Sequence, residues 1–301
     1  MTENLSAFNG SAVALGSFDG VHAGHRAILS ETVSAADRAG LTPSAFTFGM
    51  PPALFKNPGF PGILTDTDEK LALMKECGIG TVLVADFGDI HGLSPEDFIA
   101  LFLIKKLKAK TVICGEDFRF GADRAGNTDT LRAFFGENAV VLPFLTFNGR
   151  KVSSTEIRAM VAEGDVSTAA TLLGRPYSLS GESFEGRHDG RRLGFPTINI
   201  LPPDGKVLPP NGVYITKTVF PDCTDYPSVT NIGLSPTLDF TGTKRLETHL
   251  LNFGGGFCPK GRYTVMFLER VRGEFVFGSV NELAEQISKD KKRAEEYFKN
   301  N

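Results

Sequence analysis

Short apolar runs alternate with helical patterns through the first half of the chain, and this alternation restricts the fold more than any other feature of the sequence. The runs are continuous and rich in Val, Ile and Phe, as in strands buried on both faces, and they lie at residues 11–16, 43–48, 81–87, 110–115 and 139–145. Helical patterns lie between them at residues 25–39, 67–77, 94–106 and 128–135. Repeated strand–helix–strand units predict an α/β domain with a doubly wound parallel sheet, helices on both faces, and ligands at the carboxyl ends of the strands.

The pattern changes near Arg175, where short alternating strands with Gly and Pro turns replace the helices. Such strands are predicted at residues 212–220, 226–233, 245–253 and 262–271. They indicate a small antiparallel β-barrel or sandwich, followed by a C-terminal helix that Ser279 caps. The domain boundary is predicted between residues 162 and 175, which gives domains of residues 1–168 and 169–301.

The composition is that of a globular protein, and it narrows the classes of partner. A chain of 301 residues is too long for one ordinary core, and 41% hydrophobic with 22% charged residues is typical of soluble proteins. A formal net charge of -3 argues against a nucleic-acid binder that relies on bulk positive charge. Four scattered cysteines predict buried thiols in a reducing compartment. With no signal-peptide core and no apolar run of about 20 residues, we expect a cytoplasmic protein without membrane or nucleic-acid partners.

Residues 16–25 read GSFDGVHAGH and form what is here named the histidine turn, between the first predicted strand and the first predicted helix. A helix start exposes unpaired N–H groups and the positive end of a dipole, which suits a phosphate. His22 and His25 share a helix face and can donate hydrogen bonds to phosphate oxygens. The glycines Gly16, Gly20 and Gly24 permit close approach of backbone and ligand. Spacing alone leaves a metal site and a plain helix cap as alternatives.

The complete string of the histidine turn resembles the signature of the HxGH nucleotidyltransferases, most closely their flavin branch, the FAD synthetases. Two further stretches, CGEDFRFGADRAGN at 114–127 and SSTEIR at 153–158, resemble that family in the same order. The resemblance implies a set of catalytic and phosphate-binding residues around ATP, namely His22, His25, Arg158, Gly16, Phe18, Gly24, Ser154 and Thr155. It also implies that Asp117 and Phe118 line the flavin or adenine pocket.

The residue types in SSTEIR support phosphate binding independently of that resemblance. Three hydroxyls stand at a helix start, and Arg158 offers a planar fork of donors one turn later. The alternative is a capping box formed by Ser153 and Glu156, which is compatible with phosphate binding. For Asp117 and Arg119 the alternative is a surface ion pair or a turn.

The segment after the second predicted strand departs from the FAD synthetase pattern. The family carries a Phe-Glu-Pro-His-Pro-like segment there, whereas this chain reads FTFGMPPALF at 46–55. Gly49 and Pro51 or Pro52 stand at the acidic and histidine positions. If that segment places the flavin phosphate or a metal ion, adenylyl transfer in this chain is slower or differently arranged.

The second half contains GRRLGFPTINI at 190–200, in which Thr197 and Asn199 are two residues apart and share one face of a strand. A hydroxyl and an amide on one face can ligate magnesium and phosphate oxygens, and Gly190 and Gly194 allow a phosphate-covering loop. The alternative for this stretch is ordinary turn chemistry.

Four strings, LGFPTIN, NGVYIT, VTNIGLSPT and LETHLLNF, together resemble the riboflavin kinase domain. The resemblance implies that Thr197 and Asn199 bind Mg²⁺ and ATP, with Gly194 in the ATP loop, and that Glu247 is the catalytic base. The alternative for Glu247 is a carboxylate on a solvent face, and His249 is expected to be structural. The Asp-Leu-Tyr-Gly turn of the family is replaced by GGGFCPKG at 254–261, which alters the lip of the flavin site.

We therefore expect a bifunctional enzyme that phosphorylates riboflavin to FMN and adenylylates FMN to FAD, using ATP and Mg²⁺. One alternative is a monofunctional flavin enzyme with one degenerate domain. Another is a non-catalytic module, either a flavin sensor or an RNA-binding barrel. The second domain lacks the dense Lys/Arg stripe with interleaved aromatics that RNA binding favours.

Overall fold

The structure is a computed structural model that describes residues 10–57, 59–184, 197–234, 244–254, 258–275 and 277–301. The chain divides into two compact units, Met1–Glu156 and Ile157–Asn301. This division falls before the domain boundary expected after residue 168, which stays a prediction.

The first unit alternates strands and helices in the predicted order. Its strands are β1 (Ser11–Leu15), β2 (Thr42–Phe48), β3 (Thr81–Ala85), β4 (Ala109–Gly115), β5 (Ala139–Leu142), β6 (Thr146–Phe147) and β7 (Arg150–Lys151). Its α-helices are α1 (Ala23–Ala39), α2 (Pro52–Lys56), α3 (Thr67–Glu76), α4 (Phe87–Ile90), α5 (Pro95–Phe98) and α6 (Thr128–Phe135). A π-helix spans Ile99–Lys106, and short 3₁₀ helices span Ala122–Arg124 and Gly136–Asn138. Helix α7 (Ser154–Glu163) contains the division between the units.

The predicted parallel sheet is confirmed, with strand order β3-β2-β1-β4-β5. Strands β2 and β3 lie on one side of β1, whereas β4 and β5 lie on the other. The end of β1 is therefore the switch point where ligands of such sheets bind. Alternate residues of β1 serve opposite faces: Val13 and Leu15 pack in a cluster with Phe98, whereas Ala14 packs with Leu29. Helices therefore cover both faces of the sheet, as predicted.

Two predicted elements of this unit differ in detail. The helix expected over residues 94–106 begins as predicted, with the Ser94 hydroxyl accepting the N–H of Asp97 at 3.0 Å. It then widens into the π-helix at Ile99, which keeps Phe102 and Leu103 buried. The last strand ends at Leu142 and not at residue 145, because the next residue is a proline without a backbone N–H to donate.

The second unit confirms the predicted barrel. Its elements are α8 (Val166–Leu173), β8 (Tyr177–Phe184), β9 (Thr197–Ile200), β10 (Gly212–Val219), β11 (Asp225–Leu234), β12 (Lys244–Leu250), β13 (Arg262–Arg272) and α9 (Val280–Asn300). Among the described residues, β10-β11-β12-β9-β8-β13 close into a barrel in that order. Ser279 caps the C-terminal helix as predicted, since its hydroxyl accepts the N–H of Glu282 at 3.2 Å.

Helix α9 packs on the outside of the barrel. Ala294 lies in a cluster with Ile215 of β10 and with Leu251. Arg272 of β13 forms a two-pronged ion pair with the buried carboxylate of Asp290, with nitrogen–oxygen distances of 2.7 to 3.1 Å. Because Ile215 faces this helix, its neighbours along β10 point the other way, into the barrel.

A row of buried hydroxyls crosses three strands inside the barrel, and it is named the hydroxyl row. Its members are fully buried and bonded in the order Thr218–Ser228–Thr216–Thr230–Thr248, at distances of 2.8 to 2.9 Å. Each hydroxyl therefore depends on a neighbouring strand for its hydrogen bond. The row holds the register of β10, β11 and β12.

The cysteines are free, but the expectation that all are buried was wrong. Cys114 is buried, Cys77 and Cys258 are half-buried, and Cys223 is exposed. Cys223 is exposed because it lies in the tight turn between β10 and β11, where its N–H donates to the carbonyl of Phe220.

No helix in the described part of the chain is long and apolar enough to span a membrane.

We predict that Thr230→Val lowers the free energy of unfolding of the barrel by about 1–3 kcal/mol, because the hydroxyls of Thr216 and Thr248 each lose a buried partner. Urea denaturation followed by circular dichroism measures the change. Thr230→Ser keeps the hydroxyl and should lose less stability. Thr171→Val, at an exposed helix position, is the control and should change it by less than about 0.5 kcal/mol. Equal stability of Thr230→Val and the unaltered chain would contradict the role given to the row.

Candidate active sites

The histidine turn follows β1 at the switch point of the sheet, and its backbone is strained. Phe18 has φ of 50°, Val21 has φ of 40° and Gly20 has φ of 84°, all in the left-handed region. That region is costly for a β-branched residue such as Val21, and each such residue costs on the order of 1–3 kcal/mol. Both side chains are completely buried, so packing compensates for the strain. Phe18 can therefore meet a ligand only through its backbone.

His22 is the N-cap of α1, which confirms the capping alternative without excluding phosphate binding. Its Nδ1 accepts the N–H of His25 at 3.3 Å, so the neutral ring carries its proton on Nε2. The rings of His22 and His25 are stacked, with centroids 3.6 Å apart and planes 17° apart. A Cβ at Gly24 would lie 3.2 Å from the His22 ring, a tight contact that the ring would have to shift slightly to accept, so glycine leaves the stack undisturbed. Two imidazoles thus stand together at the start of a long helix, where unpaired N–H groups also favour anions.

The buried carboxylate of Asp19 connects the histidine turn by hydrogen bonds to a segment distant in sequence. Asp19 is 2% exposed and accepts the N–H groups of Leu64 and Thr65, each at 3.0 Å, and the Thr65 hydroxyl at 3.3 Å. The same Thr65 oxygen accepts the N–H of Gly20 at 2.9 Å. The turn is therefore tied to the segment just before α3.

Lys70 of α3 is a second buried support, and the sequence analysis missed it. It is 1% exposed, and its ammonium donates to the carbonyl oxygens of Ser17 and Phe48. Burial lowers the pKa of Lys70 from its usual value to about 8, against the opposing effect of the Asp19 carboxylate. Nothing in the local pattern around residue 70 distinguishes it from a solvated helix lysine.

The predicted second nucleotide motif meets the histidine turn through Ser154. The Ser154 hydroxyl donates to the backbone carbonyl of Asp19 at 2.8 Å, across 135 residues of sequence. Ser153 accepts the N–H of Glu156 at 3.3 Å, which is one bond of the proposed capping box. Thr155 is exposed at the start of α7. Arg158 lies one turn further on, is 8% exposed, and belongs to the second compact unit.

An aromatic cavity of about 350 Å³ opens near the ends of β2 and β4. Its walls are rich in aromatic side chains and include Phe46, Phe48, Phe87, Phe98, Phe118 and Phe120, with Arg119, Asp123 and Arg124 also lining it. Phe118 and Phe120 are stacked, with ring centroids 5.6 Å apart. A slot between aromatic faces with charged groups in its wall suits a flat heteroaromatic ring.

Two residues predicted beside this pocket are placed differently from each other. Phe118 lines the cavity, whereas Asp117 is not among its lining residues. The Asp117 side chain is 65% exposed and forms an ion pair with Lys151, which is the surface alternative considered for it. Arg119 lines the cavity and donates to the carbonyl of Phe118 at 2.8 Å. The remaining phenylalanines were missed, although 25 phenylalanines and no tryptophan are a visible signal.

The barrel brings Thr197, Asn199 and Glu247 together on one face. Glu247 pairs directly with Asn199, and His249 pairs with Thr197, in the β9–β12 ladder. The Thr197 hydroxyl donates to Oε1 of Glu247 at 3.3 Å, and a guanidinium nitrogen of Arg245 lies 3.8 Å from its Oε2. Glu247 is partly buried, with 28% of its side chain exposed, and has partners on both oxygens. This arrangement differs from that of a solvated surface carboxylate.

Asn199 contributes to this face an amide oxygen that accepts no hydrogen bond from the described residues. It is 7% exposed, and its Oδ1 is buried with no hydrogen-bond partner among the described residues. Asn231 of β11 pairs with Glu247 from the other side and was missed, because nothing local marks it. The predicted ATP-loop residue Gly194 lies outside the described residues, as does part of the GGGFCPKG segment. No group of three His, Cys, Asp or Glu suited to a metal occurs among the residues described.

Two families match the chain, the FAD synthetase family over residues 5–156 and the riboflavin kinase family over residues 173–298. A bifunctional riboflavin kinase/FMN adenylyltransferase of Buchnera aphidicola subsp. Schizaphis graminum is 35% identical over 304 residues, covering 98% of this chain and 96% of the relative. The chain belongs to the bifunctional riboflavin kinase/FMN adenylyltransferase family. The Escherichia coli K12 protein of the same description is 34% identical over 296 residues, covering 96% of this chain and 93% of the relative.

The crystal structure of a macrolide-efflux protein from Streptococcus pneumoniae has the same fold. It matches with a TM-score of 0.86 and 27% identity, over 95% of this chain and 94% of that chain. Efflux is the description of that protein, and the fold is what the two chains share.

Membership of the bifunctional riboflavin kinase/FMN adenylyltransferase family confirms both resemblances drawn from the motifs. The FAD synthetase match contains the histidine turn, the aromatic cavity and Ser154. The riboflavin kinase match contains the whole barrel and the face that carries Glu247. Arg158 lies between the two matched regions.

Proposed function

We propose that this chain makes FMN at the Glu247 face of its barrel and FAD at the histidine turn of its sheet. As a member of its family it is a transferase that uses ATP, with riboflavin and FMN as substrates. The observation that carries the residue assignment is the pairing of Glu247 with Thr197 and Asn199, since it joins a carboxylate, a hydroxyl and an unpartnered amide oxygen on one face. No finding favours a single active domain or a flavin sensor.

At the barrel, the ribityl 5′-hydroxyl oxygen of riboflavin attacks the γ-phosphorus of ATP. The bond between that phosphorus and the bridging oxygen breaks, and ADP leaves. Glu247 accepts the hydroxyl proton, and Thr197 orients its carboxylate through Oε1. Phosphoryl transfer of this kind is mostly positioning and electrostatics, so few residues suffice.

The donor set around Glu247 fits a magnesium ion. Mg²⁺ prefers oxygen ligands, and the Thr197 hydroxyl and the buried Oδ1 of Asn199 are of that kind. When bound, the ion would offset the negative charge of the ATP phosphates. Thr197 and Asn199 are the residues that would hold it, and Gly194 belongs to the loop assigned to ATP.

At the sheet, a phosphate oxygen of FMN attacks the α-phosphorus of ATP. The bond from that phosphorus to the oxygen bridging the β-phosphate breaks, pyrophosphate leaves, and FAD forms without a covalent enzyme intermediate. The imidazoles of His22 and His25 stabilise the negative charge that develops on the phosphates. The catalytic assignment of Arg158 rests on its place in the SSTEIR motif. Further phosphate contacts are assigned to Gly16, Phe18, Gly24, Ser154 and Thr155.

The aromatic cavity is the site we assign to the flavin ring of FMN, with Phe118 in its wall. Asp117 does not line the cavity, and its assignment to the flavin or adenine pocket rests on the resemblance to FAD synthetases alone. The divergent segment at Gly49 is anchored, since its carbonyl accepts the Thr67 hydroxyl at 3.1 Å. We therefore expect this segment to change the rate of adenylyl transfer and not to abolish it.

Both reactions are assigned to the cytoplasm, where free thiols such as these persist.

We predict that His22→Ala combined with His25→Ala lowers FAD formation by at least about 100-fold, because both donors to the phosphates are removed. FMN formation by the same chain should be unchanged and is the internal control. Incubation with riboflavin, Mg²⁺ and ATP, followed by chromatographic separation of riboflavin, FMN and FAD, measures both. Equal loss of the two products would contradict a two-site enzyme.

We predict the reverse for Glu247→Gln, which keeps the shape of the side chain and removes the base. Riboflavin phosphorylation should fall by roughly 100-fold or more, whereas FAD formation from supplied FMN should persist. Glu182→Gln, at an exposed carboxylate on β8 of the same barrel, is the matched control. An unchanged rate in Glu247→Gln would remove this residue from the role of base.

We predict that excess chelator stops riboflavin phosphorylation and that added Mg²⁺ restores it. Asn199→Ala should raise the Mg²⁺ concentration for half-maximal activity by at least about tenfold, since one metal ligand is lost. Glu182→Gln should leave that concentration unchanged. Full activity in chelator, or an unaltered Mg²⁺ requirement in Asn199→Ala, would count against the assigned site.

A further inference from the structure

Lys70 is a completely buried lysine that the proposed mechanism leaves unused. It lies in the first half of α3 and is 1% exposed. Lysine is almost never fully buried, because removing an ammonium from water is costly unless polar groups compensate. A buried ammonium beneath a phosphate-binding turn therefore calls for a functional explanation.

The hydrogen bonds of Lys70 join two neighbouring strand ends. Its Nζ donates to the carbonyl of Ser17, in the histidine turn, at 3.3 Å, and to the carbonyl of Phe48, at the end of β2, at 2.5 Å. The hydroxyl of Thr47 also donates to the Ser17 carbonyl, at 2.9 Å. Among the described residues, the carboxylate of Asp19, from the same turn, acts on the ammonium through its charge. These contacts all lie at the carboxyl edge of the sheet.

We propose that Lys70 is a positioning residue for adenylyl transfer, because its ammonium holds the histidine turn against the end of β2 and so fixes His22 and His25. The proposal rests on the assignment of FAD formation to this turn. It also connects the turn with the wall of the aromatic cavity, since Phe48 both accepts from Lys70 and lines that cavity.

The strain of the turn explains why such a support is needed. Phe18 and Val21 hold left-handed backbone angles that a free loop would leave. A displacement of about 1 Å at a catalytic group is enough to cost roughly 100-fold in rate. A charged donor on the Ser17 carbonyl, one residue before Phe18, resists that displacement more strongly than a neutral donor does.

The ionisation of Lys70 gives the proposal a signature that a purely structural role lacks. Burial lowers its pKa to about 8, so the ammonium loses its proton near neutral to mildly alkaline pH. Below that pH the charged donor is present, and above it the two carbonyl contacts become neutral and weaker. FAD formation should therefore decline as pH rises through about 8, and Lys70 should be the cause.

The test compares Lys70→Met with Lys75→Met, which alters an exposed lysine of the same helix. FAD formation from FMN and ATP and FMN formation from riboflavin and ATP are measured for each variant across pH 6.5–9.5, an experimental range that brackets the Lys70 pKa of about 8. In Lys70→Met, kcat for FAD formation should fall roughly tenfold or more and the alkaline decline should disappear. FMN formation should be unchanged, and Lys75→Met should behave as the unaltered chain.

The outcomes separate the two proposals. A Lys70→Met chain that keeps the full rate and the alkaline decline of FAD formation would overturn the role of Lys70 alone. A complete lack of FAD formation by the unaltered chain would overturn the assigned function and this inference together. If Lys70→Met does not fold, Lys70→Arg decides, because it keeps a charged donor at every pH tested: an alkaline decline of FAD formation that persists in Lys70→Arg contradicts the role of Lys70.

Discussion

The carboxylate of Asp19 is buried beneath the histidine turn, and its need for hydrogen bonds organises the first unit. It is satisfied by backbone and side-chain donors of Leu64 and Thr65, which lie more than 40 residues away in sequence. Its own carbonyl accepts from Ser154. Two distant segments thus converge on one acidic residue, and the strained turn that contains it places two imidazoles at a helix start. Burial of this carboxylate without its hydrogen bonds would be costly in free energy. Loss of these contacts would therefore destabilise the turn.

The barrel also contains buried polar groups that need hydrogen-bond partners from other strands, but these groups are neutral hydroxyls. β12 presents Thr248 to the interior, where it ends the hydroxyl row, and Glu247 to the outside, where it meets Thr197 and Asn199. Because side chains alternate along a strand, a slip of one residue would exchange these two faces. The hydroxyl row makes such a slip unfavourable, since it would leave buried hydroxyls without partners. The interior polar contacts therefore preserve the geometry of the exterior face that carries Glu247.

Features that repeat along the chain or follow a local rule could be predicted from the sequence. Features that arise where residues distant in sequence come together could not. The parallel sheet, the barrel, the cap at Ser279 and the shared face of Thr197 and Asn199 follow from periodicity and capping, and the structure confirms them. Lys70 was missed because burial of a helix lysine depends on what packs over it. Asn231 was missed because its position opposite Glu247 depends on strand register. The aromatic cavity combines residues from several elements spread over about 80 positions, and among these residues only Phe118 was assigned to a flavin or adenine pocket from the sequence.

The imidazole of His22 caps α1 through Nδ1, and a residue that caps a helix can be replaced by other capping residues, which has a consequence for how this site would be lost during evolution. Asn, Asp and Ser cap helices well but have no imidazole N–H. A lineage that no longer needed FAD synthesis could adopt any of them at position 22 without loosening α1. In a chain of this fold, a short polar cap at that position would keep the helix and remove the imidazole on which the proposed reaction depends.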